Sequence, residues 1–594
     1  MEKKSEKRAE KDWKIKRPGK YQLLVLIPFA FCYAFFIVLG DWQRSAPYSN
    51  AQNMGRLLLW AVISYGVLLL FGFLAENGGA LASAYLPVGM RKVWARPFSR
   101  PVISREQKRE GHFRPGKWQI WLLFFVICFL CYLPYYLMYF PTWFNNDAVW
   151  QMEQAFGLAA PSNHHPYFHT LIVRAFLKTG YGLFGSYTGA TAFYTLFQMT
   201  LTAAVFAFYL YLLYCRGTSL PWLILAIFFY ALLPVNGIYS ICMGKDAWFT
   251  AAFLLFIWAV WRCTDGKGSG RYRWILFFLT GLSVCLLRSN GIFVFLGTAF
   301  FMILSQLLTG KETEGAGEKN GRSEGGGCEE QNVQSGKDDA RKGMYISMAA
   351  VLACYLLWQG PVLHVLHVEP PDTIESLTMP TQHLLCAYAR GGSLTKEEVD
   401  MLEAVVPLAQ IDEYYNPYLF DMTKNYIREH GNQQAIADDK WEYAKLWLRV
   451  GLRNPMLYLE AQIRQTAGYY ALHIPHEQIL YGEYFMVDNP FGIETQRKVF
   501  SYDAGLAMGE FLQWFQRCYN KVWSLGMNTW LLLAAFACAL YRRREAVVFV
   551  PCVMLLGSLF LATPVYNEFR YAYGVFVALP FLFSICFGKE ETAE

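Results

Sequence analysis

Charge is scarce in this sequence. Only 17% of its 594 residues are Asp, Glu, Lys or Arg, against 55% hydrophobic and 17% aromatic, a balance that excludes a string of ordinary soluble domains. The 47 Gly lack a period of three, and the 14 Cys lie mostly inside apolar stretches, so collagen-like, coiled-coil and disulfide-scaffold classes are excluded as well. The segment 21–40 is of spanning length and shows no small-residue cleavage site, so the basic residues ahead of it do not read as a removable signal peptide. Apolar runs near the roughly 20 residues that a bilayer core demands, by contrast, recur along the chain.

Runs bounded by charge or turn residues predict twelve spans, near 21–40, 57–75, 118–140, 187–213, 220–236, 247–261, 274–287, 292–308, 344–362, 523–541, 546–563 and 571–588. Residues 167–186 are amphipathic and read as an interfacial or re-entrant helix. Of the 53 Lys and Arg, 33 fall in loops on one side of this layout, seven in the alternate loops and 13 in the long segment 363–522. Short basic loops stay in the cytoplasm. Both termini are therefore expected inside, with 363–522 outside. The expected fold is an all-α polytopic membrane protein with about 12 transmembrane helices and a mostly helical extracytoplasmic domain, located in a bacterial plasma membrane.

The layout divides the chain into a basic N-terminus (1–20), an accessory two-span hairpin with a basic loop (21–117), a membrane core (118–362) with its first outer loop at 141–186, an outer domain (363–522) and a three-span end (523–594). Residues 309–343 hold nine Gly and many charges, so they read as a disordered cytoplasmic loop. The outer domain has 21 Asp and Glu against 13 Lys and Arg, and predicts helices over 395–405, 438–450 and 455–470. Thr395-Lys396-Glu397-Glu398 forms a capping-box pattern at the first of these. Cys386 and Cys518 are the cysteines of this domain, and whether they pair stays open.

Nearly every polar cluster that interrupts the apolar pattern falls on the outer side of this layout: Phe144-Asn145-Asn146-Asp147, Asn163-His164-His165-Pro166, Gly244-Lys245-Asp246, Arg288-Ser289-Asn290-Gly291 and Asn567-Glu568-Phe569-Arg570-Tyr571. Ionisable groups at membrane depth are expensive, which makes such groups functional candidates. Asp147 suits a helix N-cap, since 148–156 looks helical; a carboxylate at a membrane surface also suits a general base. His165 and His169 have metal-like i,i+4 spacing, but Pro166 cuts the helix and no third ligand stands near. A loop that positions substrate and a purely structural turn both remain open for this run. Lys245, Arg288 and Arg570 sit where loops meet spans; they can snorkel to headgroups or jointly neutralise a lipid phosphate.

At these residues the sequence resembles the C-type fold of glycosyltransferases, and within it an uncharacterised bacterial multispanning branch. The similar features are Asn146-Asp147 with Gln151, Asn163-His164-His165-Pro166, Gly244-Lys245-Asp246, Arg288-Ser289-Asn290-Gly291, Met379-Pro380-Thr381-Gln382 and Asn454-Pro455. The resemblance implies sugar transfer from a polyprenyl-phosphate carrier to a glycan, lipid or protein acceptor on the outer face. It implies Asp147 as the catalytic base and Lys245, Arg288 and Arg570 as carrier-phosphate ligands. Asn146, Gln151, His164, His165, His169, Asp246 and Asn290 complete the expected substrate-binding set. Members of this superfamily commonly carry two acidic residues in the first outer loop. Glu153 is the other one here, so no metal ligand is assigned and a divalent-metal requirement stays open. The bilayer is the expected partner, and no nucleic-acid partner is expected.

The main rival is a transporter or flippase of lipid-linked envelope precursors, whose polar residues should lie at mid-bilayer. A polysaccharide polymerase or ligase and a membrane scaffold are further rivals. The scaffold reading predicts Asp147, His165 and Arg288 far apart in space.

Overall fold

The computed structural model describes residues 15–44, 50–85, 117–144, 146–264, 272–317, 327–474, 488–494, 496, 500–563 and 565–587. It is about 81% helical, and no strand forms among the described residues. Eight helices are long and apolar enough to cross a membrane: Lys20–Trp42, Ala51–Gly78, Lys117–Met138, Tyr187–Cys215, Lys245–Thr264, Gly291–Leu308, Arg341–Val365 and Phe569–Phe587. Two bent pairs raise the number to ten, and Tyr272–Leu287 and Ala546–Leu561 are shorter apolar helices. These helices mark a multi-pass membrane protein.

Burial ranks the helices from centre to rim. Phe569–Phe587 has 78% of its apolar window buried, whereas Lys117–Met138, Ala51–Gly78 and Arg341–Val365 each have 22%. The central helix packs against Lys245–Thr264, Val550–Leu561, Leu525–Tyr541 and Tyr187–Cys215. Its aromatic residues Phe569, Tyr573, Phe576 and Phe581 are buried. Because Arg570 is the second residue of this helix, the core of the bundle carries a cation at one of its ends.

Proline and loop chemistry account for the departures from straight spans. The predicted span at 220–236 is two helices, Leu220–Leu232 and Pro234–Ile241, bent by 41°, because Pro234 cannot donate to the preceding turn. Tyr502–Val522 joins Leu525–Tyr541 at 49°, so the boundary drawn at 522/523 is a bend between two helices. The amphipathic Tyr167–Phe184 buries Tyr167, His169, Thr170, Val173 and Leu177. The helices Gly291–Gly317 and Gly327–Leu357 extend into 309–343, where Glu, Lys, Gln and Ala favour helix; residues 318–326 of that stretch lie outside the described residues.

Within 363–522, residues 374–458 form a helical unit with its own core, built on Ile374, Leu385, Val406, Ile427, Leu446 and Val450, whereas Leu512 belongs to the main bundle core and Phe491 and Ile493 pack with the Asp147 helix. Its capping box forms as the sequence predicts. The Thr395 amide donates to Glu398 Oε2 at 2.9 Å and the Glu398 amide to Thr395 Oγ1 at 3.3 Å, opening Lys396–Glu403. The second helix is Lys440–Arg453, capped by Asp439, and the third is Pro455–Thr466, continued by a short turn at Ala467–Tyr469. Cys386 and Cys518 are both free thiols. A Cβ on Gly468 would sit 2.0 Å from the Tyr566 carbonyl, so glycine is what lets this unit press against the loop before the central helix.

Candidate functional site

Isolated backbone pairings gather the polar clusters. Trp143 pairs with Cys242: its amide donates to the Ile241 carbonyl at 3.1 Å, and the Met243 amide donates to the Trp143 carbonyl at 3.0 Å. This lays the approach to Asp147 beside the approach to Lys245. Ser162 pairs with Glu369, tying the histidine loop to the start of the helical unit, and Leu419 pairs with Val565, tying that unit to the loop before Arg570. Segments hundreds of residues apart thus meet at one end of the bundle. Asn145, within the first cluster, lies outside the described residues.

Asp147 is the hub. The helix begins at Asn146, which is exposed, so Asp147 stands inside the first turn rather than at the cap, where the helix dipole favours a carboxylate. Arg570 Nη1 donates to Asp147 Oδ2 at 3.1 Å, and Lys245 Nζ lies 3.6 Å from the same oxygen. His165 Nε2 lies 3.8 Å from Oδ1. Burial opposes the charge of Asp147, but Lys245 and Arg570 outweigh it and hold the carboxyl well below the usual carboxylate range.

The proton on His165 can be assigned from its neighbours. Lys245 Nζ lies 2.7 Å from His165 Nδ1; an ammonium only donates, so Nδ1 accepts. Burial first, then Lys245, push this imidazole well below its ordinary value, so it is neutral and carries its hydrogen on Nε2, the nitrogen nearer Asp147. His164 packs edge-on against His165 and Trp150, with ring centroids 4.7 and 5.3 Å away.

Arg288 and Asp246 extend the cluster. Arg288 Nη1 lies 3.4 Å from Asp246 Oδ1. The guanidinium groups of Arg288 and Arg570 both lie over the Tyr571 ring, at 4.8 and 5.2 Å, within cation–π range. Arg570 Nε also lies 3.3 Å from Glu568 Oε1. Three cations (Lys245, Arg288, Arg570) therefore meet three carboxylates (Asp147, Asp246, Glu568). The Arg288 turn is tight because a Cβ on Gly291 would sit 2.0 Å from the Val284 carbonyl, and Asn290 Nδ2 fastens it to Ser558 Oγ at 2.8 Å.

His169 and Gln151 have a different place from the one expected of substrate ligands. His169 is fully buried; its Nδ1 meets Gln151 Oε1 at 3.0 Å and its Nε2 meets Tyr194 Oη at 3.1 Å. Gln151 Nε2 donates to Thr170 Oγ1 and Trp248 Nε1 to Tyr194 Oη. This satisfied chain, with the imidazole pushed to about 3 by burial and by Lys245, fastens the Asp147 helix from below. Pro166 precedes Tyr167–Phe184, so His165 is outside that helix and the i,i+4 pairing with His169 does not arise. Among the described residues no three His, Cys, Asp or Glu gather as a metal site.

The other quoted motifs hold the helical unit together. Gln382 Nε2 donates to the Asn416 carbonyl and to Gln465 Oε1, and the Asn454 side chain bonds both the amide and the carbonyl of Ser393. Sequence reasoning places Glu568 and Tyr571 in the polar cluster around Arg570 without giving either a role, and passes over Trp150, one helical turn from Asp147.

Residues 348–594 match a family of unknown function, DUF6020. The matched stretch carries the helical unit, Glu568, Arg570 and Tyr571; Asp147, His165, Lys245 and Arg288 lie before it. No curated protein and no solved structure matches the chain.

Proposed function

We propose that this chain is an integral membrane glycosyltransferase that moves a sugar from a polyprenyl-phosphate carrier to an acceptor hydroxyl, with Asp147 as general base. One observation carries the reading: a single carboxylate, kept ionised, is the meeting point of cations drawn from sequence positions 245, 570 and, through Tyr571, 288. The charges sit at helix ends. Lys245 opens its helix, Arg570 is second in its own, and Arg288 follows Tyr272–Leu287. A transporter or flippase would concentrate such groups at mid-bilayer.

A carboxylate clamped by cations is a weak base, and the donor resolves this. Its phosphate competes for Arg288, Lys245 and Arg570, and as they turn to it the basicity of Asp147 rises toward what proton abstraction requires. Oδ1, which His165 Nε2 approaches at 3.8 Å, takes the acceptor proton. The acceptor oxygen then bonds to the anomeric carbon while the carbon–oxygen bond to phosphate breaks, and polyprenyl phosphate leaves with the electron pair, inverting the anomeric centre. An apolar groove of about 350 Å³, lined by Phe168, Ile172, Phe176, Phe197 and Trp248, suits the isoprenoid chain, since Trp248 is one turn from Lys245.

In this reading the two short apolar helices complete twelve crossings, both termini are cytoplasmic, and 363–522 covers the outer face of a bacterial plasma membrane. The test is purified protein in bilayers with a panel of radiolabelled polyprenyl-phosphate sugars, with and without chelator. Asp147→Asn should lower transfer by roughly 10²–10⁴-fold while carrier binding persists. Normal transfer by this variant removes Asp147 as the base.

A further inference from the structure

Trp150 is half exposed, unlike the buried Trp143 of the same loop. It lies three positions after Asp147 on one helix, so the two share a face, and the Asp147 side chain is itself 32% exposed. A half-exposed indole thus stands on the same helix face as a partly accessible carboxylate. The ring stands edge-on to His164 at 5.3 Å and to His165 at 6.3 Å, so it forms one wall of the approach to the base.

The helical unit supplies the facing rim. Asn163 donates its side-chain amide to Gln359, and its backbone amide donates to the Glu369 carbonyl at 2.8 Å, which fixes the start of the unit next to His164. Six residues beyond Glu369, Glu375 pairs with Arg428 at 3.1 Å, and Arg428 also donates to Asp372 at 2.7 Å. The Ser162–Glu369 pairing brings this charged group, in which Lys424 also meets Glu375 at 3.0 Å, into the chain just past the histidine loop.

We infer that the exposed face of Trp150 is the platform for a saccharide acceptor, whose hydroxyls are gripped by Glu375 and Arg428 and one of which is delivered to Asp147. An indole face stacks on the carbon-bound hydrogens of a pyranose, and a paired acid and guanidinium offer acceptors and donors in the spacing of sugar hydroxyls. A lipid acceptor would want an apolar trough here, whereas the rim is charged. A peptide acceptor added as a strand needs a sheet edge, and no strand exists among the described residues. The inference rests on the glycosyltransfer reading for the word acceptor, but the site can be tested apart from transfer.

The experiment measures binding of chitotetraose, maltotetraose and mannotetraose to the full-length protein in nanodiscs by saturation-transfer NMR, with a serine-containing peptide and octanol as comparison probes. At least one tetrasaccharide should bind. Trp150→Ala should weaken it tenfold or more, Trp150→Phe should restore most of the affinity, and Trp441→Ala, at a tryptophan 78% exposed in the helical unit, should leave it unchanged. Thermal unfolding of each variant separates lost binding from lost fold. Binding of no saccharide, preference for the peptide or octanol, or unchanged affinity in Trp150→Ala overturns the site. Saccharide binding with no transfer from any donor leaves the platform standing and removes the transferase reading instead.

Discussion

Of the carboxylates in this molecule that are shared among cations, Glu460 and Asp147 are built in opposite ways. Glu460 of the helical unit receives Arg390 and Arg464, each at 2.8 Å, and Arg464 is its i,i+4 neighbour, further held by the Tyr418 hydroxyl at 2.8 Å. Asp147 is approached at 3.1, 3.6 and 3.8 Å by groups from three distant segments. Buried Arg570 Nε and Asp246 Oδ1 in the same cluster make ion contacts but no hydrogen bond. Short, local contacts close a network. Long contacts gathered from afar leave donors that an incoming anion can claim, at little cost in bonds already made.

The largest expected effect tests that contrast directly. Glu460→Gln should cost about 0.5–1 kcal/mol of stability, as a partly exposed ion pair does, and leave transfer per folded molecule unchanged. Set beside the loss expected of Asp147→Asn, this reverses the usual equation of short contact with importance. Transfer assays normalised to folded protein, with melting curves of both variants, decide it. A Glu460→Gln enzyme that loses transfer as Asp147→Asn does would erase the distinction.

The two regions also each bury a neutral imidazole, which gives the next effect. His383 of the helical unit, between Gln462 and Trp447, is pushed to about 4 by burial; His165 is pushed below its ordinary value in the cluster. A folded-state value below the unfolded value of about 6.5 means that only the unfolded chain takes up the proton as pH falls from there. The contribution is whole above 6.5 and is lost on acidification. At pH 5 His383 should cost about 2 kcal/mol, and His165 acts in the same direction. Melting temperatures from pH 7.5 to 5 should fall in the wild type. The slope should flatten in both His165→Gln and His383→Gln, with transfer impaired in the first alone. A flat wild-type profile would contradict both assignments.

The sequence disclosed more of the skeleton than of the site. Apolar runs located the helices because bilayer thickness leaves few choices of length, and Thr395 and Glu398 announced a helix start because a capping box is local chemistry. Asp147, His165, Lys245, Arg288 and Arg570 were legible as candidates because each breaks an apolar pattern. His169 has the same composition signal but is a buried link between Gln151 and Tyr194, a distinction that depends on partners far along the chain. Glu568 and Tyr571 stand in the same polar cluster as Arg570, but the sequence assigns neither a role. Neither their ion contact nor their ring geometry can be read from a linear string. The bends at Pro234 and Trp523 fall where apolar composition continues across a break.

Tyr571 carries the smallest of these effects and the one that most sharpens the comparison, since among the described residues the ring at Glu460, Tyr418, lies under Arg464 and not under Arg390. One ring lies beneath both Arg288 and Arg570, at 4.8 and 5.2 Å, so it sets the gap between two guanidinium groups that otherwise repel. A cation–π contact of about 0.5–2 kcal/mol holds each of them. Tyr571→Leu keeps an apolar side chain of useful size but removes the π face, so the donor KM should rise about tenfold while kcat changes less, because phosphate capture depends on that spacing and proton transfer to Asp147 does not. Tyr571→Phe keeps the face and should behave like the wild type. If Leu and Phe act alike, the ring is only packing; if Phe fails as Leu does, the hydroxyl rather than the ring positions the two cations.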